Sequence, residues 1–327
     1  MTEMILAVIF ILMFVLELVY FKVAEKYGIA DSSNPRSSHS SVVLRGGGIV
    51  FLLGVWLYAT FFGVSYPWFF LAVTLAGLVS FADDIHSLSV GLRLVVQFAA
   101  MFLMFCQFGL LDIYSWWIVL IALVIGVGIV NAYNFMDGIN GITGGYSLAV
   151  LLPLIYLNFY YGFIDQTFLY VTGLSLLVFC FFNFRKTARC FAGDVGSISI
   201  AFILLFALGR LIIMTGDLSY LAFLAVYGVD AVLTICHRIL LHENLDEAHR
   251  KHAYQLMANE LKVPHVLVSS LYMAIQLAIS AGLIFLPVNH YVYLCVVVAI
   301  LAAAYLLFMK KNYHLHEEYL KSKMTQS

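Results

Sequence analysis

The 327-residue sequence predicts an all-α polytopic membrane protein of about eleven transmembrane helices, with its N-terminus outside and its C-terminus cytoplasmic. Three observations carry that expectation. The chain is 63% hydrophobic and only 11% charged, against about 45–50% and about 25% in a soluble domain, so much of its apolar surface must face lipid. Eleven apolar runs, most close to the roughly 20 residues needed to cross a bilayer, are separated by polar breaks. Every Lys and Arg except Arg210 falls on alternate breaks.

The runs lie at about 4–23, 47–65, 67–82, 92–111, 114–133, 144–162, 167–184, 196–214, 218–236, 265–286 and 291–309. The first is preceded by Met1-Thr2-Glu3-Met4, with an acid and no basic residue. A secretory signal carries a basic n-region there, so this run reads as a retained helix. The second begins in glycine and the third is short. The charge distribution tests the count. One side collects Lys22, Lys26, Arg36 and Arg45, then Arg93, then Arg185, Lys186 and Arg189. It continues with Arg238, Arg250, Lys251 and Lys262, and ends with Lys310, Lys311, Lys321 and Lys323. The other side has no Lys or Arg, only Glu3, Asp112, Asp165 and Asp217. The positive-inside rule makes the basic side cytoplasmic, and one missed or invented helix would scramble the sorting. The expected cytoplasmic segments are loops at about 24–46, 83–91, 134–143, 185–195 and 237–264 and a tail at 310–327, all within one integral membrane domain spanning 1–327. Five cysteines without a CxxC pair imply neither a disulfide framework nor a zinc site.

Four of the cytoplasmic segments place acids or histidines in unusual settings. Asp83 and Asp84 are adjacent carboxylates at a helix end, where they repel each other unless a cation or shared proton relieves them and oppose the helix dipole. A hydrated helix terminus is the plain alternative. In "NAYNFMDGINGITGG", residues 131–145, Asn131, Asn134, Asp137 and Asn140 recur every third residue. On a continuous α-helix each such step drifts by about 60°, a polar fan that lipid would penalise. Gly138 and Gly141 instead predict a helix end near Asp137 and a sharp turn that gathers the polar side chains at a cavity mouth. Asp194, flanked by glycines in "FAGDVGS", reads either as a helix N-cap or as a ligand for Mg²⁺, which takes one or two carboxylates plus substrate phosphates. His249 and His252 share a helix face beside Arg250 and Lys251, and these cations suit phosphates. Asp230, within a span, reads as a buried polar contact. Separated carboxylates, amides, glycines and cations on one face of a helical bundle suit Mg²⁺-assisted phosphoryl transfer.

At these residues the chain resembles the polyprenyl-phosphate N-acetylhexosamine-1-phosphate transferases of glycosyltransferase family 4, with the phospho-MurNAc-pentapeptide translocase as a more distant relative. The resemblance runs through "NPRSSHSSVVLRGGGI", "FADD", "NAYNFMDGINGITGG", "FAGDVGS" and "HR…EAHRKHAYQ" in that order. It implies transfer of an N-acetylamino-sugar 1-phosphate from a UDP-sugar to undecaprenyl phosphate, with release of UMP, at the start of O-antigen, capsule or common-antigen synthesis. The setting it implies is the bacterial cytoplasmic membrane, with the site facing the cytoplasm.

Carried over by motif, Asp194 resembles the principal Mg²⁺ ligand, with Mn²⁺ an alternative ion. Asp83 corresponds to the residue that deprotonates or positions the lipid phosphate, with Asp84 assisting near the metal. Asn134, Asp137 and Asn140 would line the nucleotide-sugar site and Phe191 would stack on uracil. Arg238, His249, Arg250 and His252 would bind diphosphate or sugar. Arg93 stands where the family has a phosphate-binding lysine, and Arg36, His39 and Arg45 join the substrate contacts from the first loop. The implied partners are a UDP-N-acetylamino sugar, undecaprenyl phosphate and the lipid bilayer, with no nucleic acid; a homodimer is an open alternative. Three positions depart from the family pattern: Asn140 replaces the second Asp of DGxDG, Ser87 ends the DDxxD stretch, and His252-Ala253-Tyr254 lacks the second imidazole of His-x-His. These departures resemble the surface-polysaccharide branch. A secondary transporter is the rival class, but it would place its acids near the bilayer midplane, often in a two-fold repeat, and no repeat relates the halves of this chain.

Overall fold

The computed structural model describes residues 1–31, 43–244 and 250–324. Among the described residues, ten helical segments are long and apolar enough to cross a membrane, and Ile49–Phe62 adds a shorter apolar helix. In chain order these are α1 (Thr2–Tyr27), a hairpin of β1 (Ala30–Asp31) and β2 (Val43–Leu44), α2 (Ile49–Phe62), α3 (Pro67–Ile85) and α4 (Val90–Phe108). The one-turn α5 (Leu110–Ile113) precedes α6 (Trp116–Phe135), α7 (Ile142–Tyr161), α8 (Gln166–Asn183) and α9 (Gly193–Thr215). A 3₁₀ segment, Leu218–Leu224, runs into α10 (Ala225–Leu240), followed by the short α11 (Ala253–Asn259), α12 (His265–Phe285) and α13 (His290–Met324).

Two elements differ from the hydropathy reading. Helix α2 has 14 residues rather than the expected 47–65, which at about 1.5 Å per residue is about 21 Å, short of a hydrocarbon core of about 30 Å. Its start is delayed because the Gly47 and Gly48 amides donate to the carbonyls of Phe191 and Ala192 at 2.9 and 3.0 Å. Helix α13 does not give way to a tail at 310 but continues to Met324. Its extension is anchored where Lys251 lies over the Tyr313 ring at 5.9 Å and His316 meets Glu260 at 3.1 Å.

The polar breaks sort to two ends of the bundle. At one end Asp165 receives the Tyr58 hydroxyl at 2.5 Å and donates its amide to Tyr66 at 3.0 Å, while His290 pairs with Asp217 at 2.7 Å. The acids of this end have a local task. Asp165 and Asp217 each accept an amide hydrogen of the following turn, from Thr167 and Ser219 at 2.9 Å, as N-caps do. Arg210, the basic residue that the charge sorting leaves aside, donates to the Phe163 carbonyl at this end. The opposite end collects the hairpin, the α3–α4, α6–α7 and α8–α9 connections and α11.

Helix α9 forms the centre, buried almost all round from Val195 to Leu208, the signature of a helix enclosed by protein rather than lipid. Small residues permit its close crossing with α2: a Cβ on Gly48 would sit 2.3 Å from the Gly196 Cα. Phe206 of α9 stacks between Phe69 and Phe108, with ring centroids at 4.0 and 5.4 Å. The periphery is lipid-like in character: Trp117, Leu120 and Val124 of α6 and Val292, Val296 and Ile300 of α13 are exposed. Burying α9 at the core fixes where its first turn, with Asp194, must emerge.

Candidate active site

Backbone pairing brings the first and fourth basic-side segments together. Leu44 of β2 bridges Cys190 in parallel register, and the Phe191 amide donates to the Leu44 carbonyl at 2.8 Å. Arg45 is thereby set beside the start of α9, and Tyr20 holds its carbonyl through a 2.5 Å hydrogen bond. The turn into α9 passes through Gly193 at φ +69, where a Cβ would lie 2.6 Å from an Asp84 oxygen, so only glycine admits this approach.

Asp83 and Asp84, adjacent at the end of α3, do different things. Asp84 turns inward: its two oxygens accept the amides of Asp194 and Val195, each at 2.9 Å, and Arg45 Nε contacts it at 2.7 Å. An α-helix leaves its first amides without intrahelical partners and carries partial positive charge there, so a carboxylate from α3 completes α9. Asp83 instead accepts the Leu88 amide at 2.6 Å and Arg93 Nη1 at 2.9 Å. The same Arg93 nitrogen stands 3.6 Å from Asp194, which also receives Asn134 Nδ2 at 2.8 Å and lies 3.5 Å from Arg45. The Asp194 side chain is 17% exposed and that of Asp84 is 0% exposed, so Asp194 presents oxygen to the outside while Asp84 is spent on the fold.

Asp83, Arg93, Asn134 and Asp194 share the wall of a cavity of about 280 Å³ with Arg238, and Val90, Leu94, Ile198 and Ile235 supply its apolar sides. Oxygen donors from Asp194 and Asp83 facing one space suit a divalent cation of the Mg²⁺ type, which needs only one or two protein carboxylates when phosphates and water complete its shell. Among the described residues no three His, Cys, Asp or Glu side chains form a full protein cage.

The polar seam after α6 is a turn, as its glycines predict. Gly141 adopts φ +84, and a Cβ there would meet Phe184 at 2.2 Å. Asn134 reaches the cavity; Asn140 does not. It is 2% exposed, with Nδ2 donating to the carbonyls of Arg185 and Lys186 at 3.1 and 3.2 Å. A carboxylate at 140 would set negative charge against two carbonyl oxygens, which explains why asparagine stands there. Asp137 accepts the Thr143 hydroxyl at 2.6 Å. Burial pushes its carboxyl up to about 6, with the Asp84 charge adding to the rise and Thr143 and Arg45 opposing it.

The cations expected from the long loop are placed unevenly. Arg238 reaches the cavity wall but is buried and paired with Glu243 at 3.3 Å. Glu243 also binds Lys251. Burial pushes the Glu243 carboxyl up, yet Lys251 and then Arg238 outweigh it and hold the group below its usual range. His252 is 1% exposed and is turned to Asp230, 3.2 Å from its Nδ1. Asp230 also accepts the Tyr272 hydroxyl at 2.6 Å and the Ala253 amide at 3.1 Å, so the intramembrane acid has its partners and His252 belongs to that latch. Arg250 is half-buried at the edge of the described segment, and Phe191 is half-buried in the strand-like pairing with Leu44. Arg36, His39 and His249 lie outside the described residues.

Sequence reasoning missed Gln97 and Ser80, which line the cavity within apolar runs, and Glu17, buried in α1 beside Cys190. A polar residue inside a span was the available signal. Spacing from Arg93 would have flagged Gln97, since i and i+4 share a helix face.

Comparison with known proteins covers the same segments. The model of "Glycosyl transferase family 4" matches residues 66–214, from the start of α3 through α9. A Bacillus subtilis protein named "Probable undecaprenyl-phosphate N-acetylglucosaminyl 1-phosphate transferase" is 25% identical over 264 residues, covering 72% of each chain. A Thermotoga maritima "Undecaprenyl-phosphate alpha-N-acetylglucosaminyl 1-phosphate transferase" is 27% identical over 84% of this chain and 88% of its own. The "Phospho-N-acetylmuramoyl-pentapeptide-transferase" of the same organism is 28% identical over 58% of this chain and 66% of its own. The stretch matched by the family model holds Asp83, Arg93, Asn134 and Asp194, and over it this chain is similar to glycosyl transferase family 4, as it is to both kinds of transferase.

Proposed function

We propose that the protein transfers an N-acetylamino-sugar 1-phosphate from a UDP-sugar to undecaprenyl phosphate, releasing UMP, at the cytoplasmic face of a bacterial inner membrane. The observation that carries this reading is Arg93 held between Asp83 and Asp194 on a cavity that Val90, Leu94, Phe135, Ile198 and Ile235 also line. A phosphate on an apolar chain and a phosphate on a polar nucleotide could meet only where a membrane span ends in charge. The basic residues concentrated at this end support a cytoplasmic orientation. The two relatives named for undecaprenyl phosphate support the acceptor.

In this reading an oxygen of the lipid phosphate attacks the phosphorus attached to the sugar. The new P–O bond forms as the bond to UMP breaks, in one in-line displacement. Asp83 accepts the acceptor's proton when the lipid arrives as a monoanion, and Arg93 neutralises the phosphate beside it. Asp194, with Asp83, would hold Mg²⁺, or Mn²⁺ in its place, which neutralises diphosphate charge and eases departure of UMP. Asn134 fixes the Asp194 carboxylate, and Asp84 with Arg45 holds the first turn of α9 so that Asp194 keeps its place. Asp137, next to this turn, is assigned to the nucleotide-sugar side. The Asn140, Ser87 and Tyr254 positions favour the surface-polysaccharide branch, with O-antigen, capsule or common antigen as the product pathway.

The test is turnover by the purified protein in detergent with undecaprenyl phosphate and a panel of UDP-amino sugars. Release of UMP is scored together with formation of a lipid-linked sugar. The expected result is acceptor-dependent release of UMP with at least one donor. Absence of both products across the panel would remove the assignment.

A further inference from the structure

The cavity is polar at two depths. Asp83, Arg93 and Asn134 ring it at the helix ends, and Ser80, Gln97 and Asn131 ring it again one turn further into the span, on the same three helices. Helices α3 and α6 run toward the site and α4 runs away from it, so each of the second three lies deeper by one turn, about 5 Å. Amides at that depth are costly unless they are partnered.

Asn131 is partnered. Its Nδ2 donates to the Val127 carbonyl at 2.9 Å and to Gln97 Oε1 at 2.7 Å. The Val127 oxygen can only accept, so the Asn131 amide must present its NH₂ group there, and the second hydrogen then requires the oxygen of Gln97. This fixes the Gln97 amide, which is 7% exposed, with its oxygen on Asn131. Its NH₂ group has no acceptor among the described residues, and Gln97 lines the cavity. Arg93 lies on the same face of α4, one turn nearer the helix end.

We propose that Gln97 is an acceptor-binding residue: its NH₂ group, oriented by Asn131, donates to the phosphate of the incoming polyprenyl phosphate from the membrane side, opposite Arg93. This rests on the transferase reading above. A phosphate on an apolar tail brings its anionic oxygens to the boundary between the two polar rings, with the first carbons of the tail against Leu94, Ile198 and Ile235. A soluble nucleotide sugar has no group that must occupy the deeper ring. Gln97 therefore acts on the acceptor and not on the donor, and Asn131 is its positioning residue.

The experiment measures KM for undecaprenyl phosphate and for the UDP-sugar separately, in wild type and in Gln97→Glu, Gln97→Leu and Asn131→Leu. Gln97→Glu keeps an oxygen for Asn131, so the local fold is retained, while a donor is replaced by a repelling carboxylate. A hydrogen bond to a charged group corresponds to about a 10- to 100-fold effect. Both Gln97 variants are expected to raise the acceptor KM by that factor and leave the donor KM within about twofold. Asn131→Leu is expected to shift the acceptor KM in the same direction, by less. An unchanged acceptor KM in Gln97→Glu, or equal rises in both KM values, overturns the proposal even if Gln97→Leu does not fold. A wild type that forms no lipid product fails at the earlier step and removes the transferase reading itself.

Discussion

Asp84 accepts the backbone amide of Asp194 at 2.9 Å from the far end of another helix, and in doing so fixes the carboxylate that its neighbour Asp83 meets through Arg93. Two adjacent acids thus divide into a structural and a chemical member. Asp84→Ala leaves two buried amides of α9 without acceptors, at about 1–3 kcal/mol each, and removes the nearer carboxylate from Arg45. Its melting temperature in detergent should fall by several degrees, with activity lost as a consequence. Asp83→Asn should melt near the wild-type temperature yet turn over at least about 100-fold more slowly, the cost typical of a lost proton-transfer group. Equal melting temperatures for the two variants would remove the division of labour.

Asp194 provides the complementary case. Its carboxylate is held by Asn134 and faces the cavity, so Asp194→Asn changes charge with little change of shape. Turnover should drop by about 100- to 1,000-fold, the cost of removing one preorganised electrostatic contact. Chelation should abolish wild-type UMP release, and added Mg²⁺ or Mn²⁺ should restore it. The variant should need more metal for its residual rate, read from a titration at fixed substrate. A metal-independent wild-type rate would contradict the assignment.

Asp137 predicts a pH dependence of opposite sign to that of an ion-paired acid. Its folded pKa of about 6 exceeds the unfolded value, which is about 3.9. The folded protein therefore binds the proton more tightly. The charged carboxyl costs nothing below the unfolded pKa, and its penalty grows through the interval and is complete above about pH 6. Asp137→Asn should raise stability by up to about 3 kcal/mol at pH 8 and by about half as much at pH 5. Thermal unfolding at the two pH values measures this. Activity should move the other way, because the nucleotide-sugar side loses its carboxylate.

The spans and the site's location were legible because both depend on long averages: apolar runs of bilayer length, and basic residues accumulated over five breaks. Asp83, Arg93, Asn134 and Asp194 were legible as polar groups that end apolar runs. What a linear reading cannot resolve is direction. Consecutive helical residues differ by about 100°, so nothing in the sequence says which of Asp83 and Asp84 faces the cavity and which turns to α9. Asn140 and His252 sit in the expected segments, but their side chains are claimed by the carbonyls of Arg185 and Lys186 and by Asp230. Those partners are distant in sequence. Gln97 and Glu17 were hidden for the opposite reason: one polar residue barely moves the mean of an apolar window.

Asp230 gives the last prediction, because it gathers three elements inside the bundle. It accepts the Tyr272 hydroxyl of α12 at 2.6 Å, the Thr234 hydroxyl of its own helix at 3.2 Å and the Ala253 amide that begins α11, while His252 lies 3.2 Å away. Thr234 in turn meets Tyr305 of α13 at 2.8 Å. Asp230→Asn keeps the volume but replaces one acceptor oxygen with a donor, so at least one of these contacts must open, at about 1–3 kcal/mol. The melting temperature should fall in Asp230→Asn and in Tyr272→Phe. The double variant should lose less than the sum, with a coupling of about 0.5–3 kcal/mol expected for groups in one network. Strict additivity would mean that Tyr272 and Asp230 do not act as one latch.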